Sequence, residues 1–207
     1  MKKIGIMGGT FNPIHVGHVE IAKASYEQYE LDEVWFMPNH IPAYKSEKNI
    51  VSGSQRLKMV ELAIMDYPYF NTSDFEIKRE GKTYSYETFT LLKDMYPDYS
   101  FFFIMGADSL FYFEKWMHPE IILKYSTVLV AARDENGIDE INERIKLLEE
   151  SFGNNNFYVV NCNSINCSSS KLREYLHDPD SDMMDYIKKY IPQRVLKYIE
   201  QNHLYKE

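Results

Sequence analysis

A chain of 207 residues is long enough for one full domain or two small ones, and its 23 Lys plus Arg against 31 Asp plus Glu leave a formal charge of −8. That balance excludes a broad basic surface for nucleic acid or anionic lipid, so an anionic ligand must meet positive charge gathered locally. Hydrophobic residues at 44% and charged residues at 26% match ordinary globular usage, which excludes disorder and a coiled coil.

In chain order, Lys3 to Met7 reads as a first strand, and Gly8-Gly9 cuts its apolar run too soon for a signal peptide. Val16 to Tyr29 follows as a helix with Val19, Ala22 and Tyr26 on its apolar face, then Glu33 to Met37 as a strand. A loop bounded by Pro38 runs to about Ser52. Ser54 can cap a helix from Gln55 to Met65 that turns Leu57, Val60, Leu62 and Ala63 inward. Phe70 to Lys78 reads as a strand and Ser85 to Met95 as a helix. Phe101 to Met105 is a continuous apolar run of the kind buried on both faces of a parallel sheet, and Thr127 to Ala132 repeats that pattern. A helix over Ile138 to Glu150, a strand over Phe157 to Val160 and helices near Ser169 to Leu176, Met183 to Lys189 and Gln193 to Gln201 complete the chain.

Alternating strands and helices of this kind predict an α/β fold, a doubly wound parallel sheet with helices on both faces, whose ligands bind beyond the strand carboxyl ends. Residues 1–165 form the sheet core and 166–207 a small helical C-terminal part of one domain. No apolar stretch approaches the ~18 residues that span a bilayer, so membrane insertion is not expected and a cytoplasmic protein is. Cys162 and Cys167 lack a second pair or nearby histidines for a zinc site and read as reduced structural thiols.

The strongest local signal is Gly8-Gly9-Thr10-Phe11-Asn12-Pro13-Ile14-His15-Val16-Gly17-His18, a glycine turn leading from a strand into a helix. Glycines let backbone N–H groups approach an anion, and the helix N-terminus adds free donors and the positive end of its dipole. His15 and His18, three residues apart, share nearly one face of the first turn, and Gly17 leaves room for a nucleotide against the helix. Neither G-x-x-x-x-G-K-[ST] nor G-x-G-x-x-G is present. Ser168-Ser169-Ser170, with Arg173 one turn on, reads either as a second anion site or as an ordinary helix cap.

The turn resembles the G-G-T-F-[DN]-P-x-H-x-G-H signature of the H-x-G-H nucleotidyltransferases. The whole chain resembles the bacterial nicotinate-nucleotide adenylyltransferases through Leu31 to Pro38, Arg79 to Ser85, Ile104 to Ser109 and Ser168 to Arg173. The resemblance implies a Rossmann-like fold and transfer of the adenylyl group of ATP to nicotinate mononucleotide without a covalent enzyme intermediate. It implies catalytic roles for His15 and His18. It places the ATP phosphates on Gly8, Gly9, Thr10, Phe11, Gly17, Lys45, Ser168, Ser169, Ser170 and Arg173, with Arg56 a further candidate. Nicotinate mononucleotide falls to Ser85, Gly106, Asp108, Trp116 and Arg133, with the pyridine ring stacked on Trp116. Mg²⁺ would be held by the phosphates and water, with no protein metal cage.

Asn12 replaces a common Asp, Ala43-Tyr44 a usual Pro-His, Ser170 a Thr and Met117 a common Tyr; Asn12 and Ser170 keep their hydrogen-bonding capacity. Alternatives are adenylyl transfer to nicotinamide mononucleotide or a phosphopantetheine precursor, or a nucleotide-binding module without turnover. Residues and spacing leave a homo-oligomer open and give no reason to expect a nucleic-acid partner.

Overall fold

The structure, a computed structural model, describes residues 1–42, 50–79, 81–132, 137–163 and 165–206. Strand β1 (Lys2–Gly9) lies at the centre of a sheet and leads through helix α1 (Val16–Tyr29) to β2 (Glu33–Pro38). A short β3 (Ile41–Pro42), helix α2 (Gly53–Ile64), β4 (Phe70–Thr72), β5 (Lys82–Thr83) and α3 (Ser85–Met95) follow. The second half runs β6 (Tyr99–Gly106), α4 (Ala107–Leu110), a 3-10 turn (Phe113–Lys115), α5 (Pro119–Tyr125), β7 (Ser126–Ala132), α6 (Ile138–Phe152) and β8 (Phe157–Asn161). Helices α7 (Ser169–His177), α8 (Ser181–Tyr190) and α9 (Gln193–Gln201) complete it.

Six parallel strands form one sheet in the order β4-β2-β1-β6-β7-β8, and β3 pairs with β5 apart from it. Because side chains alternate along a strand, each central strand feeds two cores. Ile4 and Ile6 of β1, Phe101, Phe103 and Met105 of β6, and Val128 and Val130 of β7 pack with α3, α5 and α6. Met7, Ile104, Leu129 and Ala131 face the other way, onto α1, α2 and the C-terminal helices. Burial on both faces explains why these strands read as unbroken apolar runs. The C-terminal helices share a core with Phe11 and Ile14, so they hold the turn that leaves β1.

Several local expectations are corrected. The cap of α2 is Ser52, not Ser54: Ser52 Oγ accepts from Gln55 N at 3.2 Å and Gln55 Oε1 accepts from Ser52 N at 3.1 Å, a reciprocal capping box. The buried face of α2 carries Arg56, Met59, Val60 and Ile64, whereas Leu57, Leu62 and Ala63 are only half-buried. The strand expected over 70–78 stops at Thr72, because the chain turns at 75–78. Helix α4 (Ala107–Leu110) is one turn long, and α5 is an element the apolar pattern does not announce. No helix among the described residues is long and apolar enough to cross a membrane.

Candidate functional site

From β1 the chain builds the sheet outward through β2 and β4, then returns to β6 on the other side of β1. Strand order therefore reverses between β1 and β6, the point at which open α/β sheets leave a crevice at their carboxyl ends. Gly8 and Gly9 end β1 there, and Gly106 ends β6. Beyond Gly9, Phe11 adopts a left-handed φ of 48° and the Asn12–Pro13 bond is cis. His15 is the N-cap of α1 and His18 its third residue.

The His15 backbone N–H donates to His18 Nδ1 at 3.2 Å. A neutral imidazole that accepts at Nδ1 carries its proton at Nε2, so this contact assigns His18 as an Nε2–H donor. The two imidazoles stack with centroids 3.8 Å apart and planes at 29°, and the Phe11 ring meets His18 edge-on at 5.2 Å. His15 is buried and His18 half-buried. A Cβ on Gly17 would lie 3.1 Å from two atoms of the His15 ring, so the space expected for a nucleotide is taken by that imidazole. A Cβ on Gly9 would meet the Phe11 ring at 3.0 Å. The Phe11 side chain is 2% exposed and belongs to the core, leaving only its backbone to an anion.

The second motif folds onto the first. Ser168 Oγ caps α7 by accepting from Lys171 N at 3.2 Å, and Ser169 Oγ donates to the Pro13 carbonyl at 2.9 Å. The Arg173 guanidinium donates to the Asn12 carbonyl at 2.7 Å and to Ser170 Oγ at 3.3 Å. The cap and the second donor cluster are thus both present, and they sit beside the histidine turn. Arg56, neither a surface charge nor a free ligand, is 1% exposed. Its Nε donates to the Val51 carbonyl, and its terminal nitrogens donate to Thr10 O, Asn39 Oδ1, Asn39 O and His40 O at 2.7–3.4 Å. Those contacts use all five guanidinium donors, so Arg56 ties the β1–α1 turn to the segments after β2 and before α2.

Next to the turn lies a cavity of about 210 Å³. Gly8, Gly9 and Thr10 line one side, and Tyr84, Ser85 and Trp116 line another. Whole small-molecule sites run to roughly 300–1,000 Å³, so this cavity suits one end of a ligand that continues outside it. Ser85 opens α3, placing that helix N-terminus in the wall. Trp116 packs against Phe103 and Phe113 with centroids 6.0 and 5.7 Å away and is half-buried. Gly106 and Asp108 lie at the end of β6 outside this wall, and Asp108 is exposed in the first turn of α4.

The charged residue of this wall, Glu76, is not among the sequence candidates. Glu76 lines the cavity, and its Oε1 accepts from Thr88 Oγ1 at 2.6 Å; Thr88 also accepts from Arg79 at 2.9 Å, and Arg79 pairs with Glu87. Burial pushes the Glu76 carboxyl up from its ordinary 4.5, outweighing the Thr88 hydrogen bond and the Arg79 charge. Its neighbourhood reads as a strand, so no spacing rule singles it out. Lys45 and Arg133, with Ala43 and Tyr44, lie outside the described residues. Among the described residues no group of three or more His, Cys, Asp or Glu could hold a metal ion. The turn and the α7 N-terminus offer imidazole, hydroxyl, guanidinium and amide donors, a set that fits polyphosphate oxygens.

The cytidylyltransferase-like family model matches residues 6–175. A probable nicotinate-nucleotide adenylyltransferase of Lachnoclostridium phytofermentans is 40% identical over 205 residues, covering 99% of this chain and 100% of the relative. Its namesake in Bacillus cytotoxicus is 39% identical, with 99% of both chains covered. Among solved structures, Plasmodium falciparum nicotinic acid mononucleotide adenylyltransferase complexed with NaAD superposes with a TM-score of 0.80 at 24% identity, over 99% of this chain and 98% of that one. That likeness carries the fold, and full-length identities of 39–40% carry the kinship. The chain belongs to the nicotinate-nucleotide adenylyltransferase family, within the wider cytidylyltransferase-like group.

Proposed function

We propose that this chain transfers the adenylyl group of ATP to nicotinate mononucleotide, forming nicotinate adenine dinucleotide and pyrophosphate for NAD synthesis. The observation that carries the reading is the adjacency of two unlike half-sites at the strand-order switch. Donors on Gly8 to His18 and on Ser168 to Arg173 meet at Asn12 and Pro13, and a cavity walled by Trp116 and the α3 N-terminus opens beside Gly8 to Thr10. The first half suits a polyphosphate. The second suits a flat ring bearing an anionic group, with Trp116 as the stacking face and Ser85 with the α3 amides at the carboxylate.

In the reaction, a phosphate oxygen of the mononucleotide forms a bond to the α-phosphorus of ATP as the bond to the bridging α,β oxygen breaks. Pyrophosphate leaves with that electron pair, so the enzyme needs no nucleophile of its own. Its work is alignment of two polyanions and stabilisation of charge on the phosphoryl oxygens and the leaving group. His18 Nε2–H, fixed by the His15 amide, is the donor assigned to the reacting phosphates, with His15 stacked behind it. The Ser168 to Ser170 segment and Arg173 are assigned to the β and γ phosphates, and Lys45 joins them from outside the described residues. Gly106, Asp108 and Arg133 are assigned to the mononucleotide. A Mg²⁺ carried by the ATP phosphates would supply charge neutralisation, while the protein's own part is the hydrogen-bond donors of the turn and of Ser168 to Arg173. We place this single domain, its site completed by residues 166–207, in the cytoplasm.

Pyrophosphate release tests the substrate. With ATP present, nicotinate mononucleotide is expected to give product well above nicotinamide mononucleotide or phosphopantetheine. Product with either of those and none with the nicotinate compound overturns the assignment.

A further inference from the structure

Residues past α9 return to the turn that leaves β1. Leu204 is buried in the core that also holds Phe11 and Ile14, and its N–H donates to the Ile199 carbonyl at 3.0 Å. On either side of it, His203 and Tyr205 take left-handed backbone conformations, φ 50° and 64°, that side chains with a Cβ disfavour. This bend carries Tyr205 beneath the turn, where its hydroxyl donates to Asn12 Oδ1 at 2.9 Å. The same oxygen accepts from Val51 N–H at 3.3 Å, and the Asn12 carbonyl accepts from Arg173. One residue in the middle of the histidine turn therefore joins the C-terminal tail and the segment entering α2 through its side chain and α7 through its backbone carbonyl.

We propose that Tyr205 is a positioning residue for the phosphate half of the site, acting through Asn12. An amide oxygen has two lone pairs, and here Val51 and Tyr205 occupy both. Removing the hydroxyl takes away one of these two donors and holds the Asn12 side chain less tightly, so the turn carrying Thr10 and Pro13 loses one of its ties. Burial holds the Tyr205 phenol well above its ordinary 10, although the Arg56 and Arg173 guanidinium groups oppose that shift, so the hydroxyl stays a donor at neutral pH. None of these contacts reaches Trp116, Ser85 or Glu76, and Thr10 is the one shared wall residue, so the larger effect is expected on ATP and a smaller one at the pyridine end.

The inference rests on reading the turn as the ATP-phosphate face. Tyr205→Phe keeps the packed ring and deletes the hydroxyl. We expect kcat/KM for ATP to fall about tenfold, the scale of one buried neutral hydrogen bond, with KM for nicotinate mononucleotide changed less than about twofold. In a double-mutant cycle, adding Tyr205→Phe to Asn12→Ala is expected to cost nothing further. Unchanged ATP kinetics, an equal loss for both substrates, or multiplying losses in the double variant overturns the proposal. Should Tyr205→Phe not fold, Asn12→Ser breaks the same bond with the tail ring intact, and the same ATP-selective loss is required of it. A wild-type protein without adenylyl transfer refutes the function itself, an outcome separate from these.

Discussion

His18 shows how one contact sets chemistry. Its Nδ1 is occupied by the His15 amide, so the ring is presented as a donor through Nε2, and its stacking on a buried His15 limits its rotation. If His18 donates to the reacting phosphates as proposed, replacing it with alanine removes a preorganised donor, and turnover is expected to fall on the order of 10² to 10³. The same change deletes a capping acceptor, worth about 1 kcal/mol, which in a chain of this size lowers the melting temperature by only about 2–4 °C. Steady-state kinetics beside a thermal melt therefore separate the two effects. Turnover within a few-fold of wild type would remove His18 from the chemistry.

At the scale of elements, Arg56 is the tie. It belongs to α2, yet its partners are backbone and amide oxygens of residues 10, 39, 40 and 51, so one side chain holds the β1–α1 turn, the exit of β2 and the entry to α2. Arg56→Met leaves several buried carbonyls without donors at about 1–3 kcal/mol each. We expect a loss on the order of 3 kcal/mol or more, a fall of about 6–12 °C in a thermal melt, with Arg56→Lys recovering part of it because an ammonium lacks the planar fork. A fall of a degree or two would mean water replaces the guanidinium. Such a residue is hard to find in a sequence: a lone Arg on an amphipathic helix reads as solvated, since the oxygens around it come from distant segments. The elements themselves were more legible. Both α1 and α3 match their expected bounds, because long periodic helices between clear breaks carry their own signal, whereas α5 is seven residues long and shows only Pro119 at its start. Ser52 was legible in principle, since Gln55 three residues on marks it as the capping serine. The two phosphate motifs stood out as patterns, but their docking across |i−j| separations of 156 and 161 is a product of the fold.

The molecule as a whole carries a formal charge of −8 and yet brings imidazole, hydroxyl, amide and guanidinium donors together at the carboxyl edge of its sheet, so placement and not net charge bears on what binds. Glu76 is the exception inside that arrangement, a carboxyl in the cavity wall that, among the described residues, feels the charges of Arg79 and Glu87. Burial raises its pKa above the 4.5 it has in the unfolded chain. Well below 4.5 both states hold the proton and Glu76 adds no pH dependence. As pH rises through that value the unfolded chain ionises first, so stability falls, and it goes on falling until the folded carboxyl titrates too. Glu76→Gln retains an oxygen acceptor for Thr88 and cannot ionise. Its melting temperature relative to wild type should therefore rise between about pH 4 and pH 7, with the other carboxylates cancelling in the difference. A flat difference would show that Glu76 titrates alike in both states; a falling one would mean that Arg79, not burial, governs it.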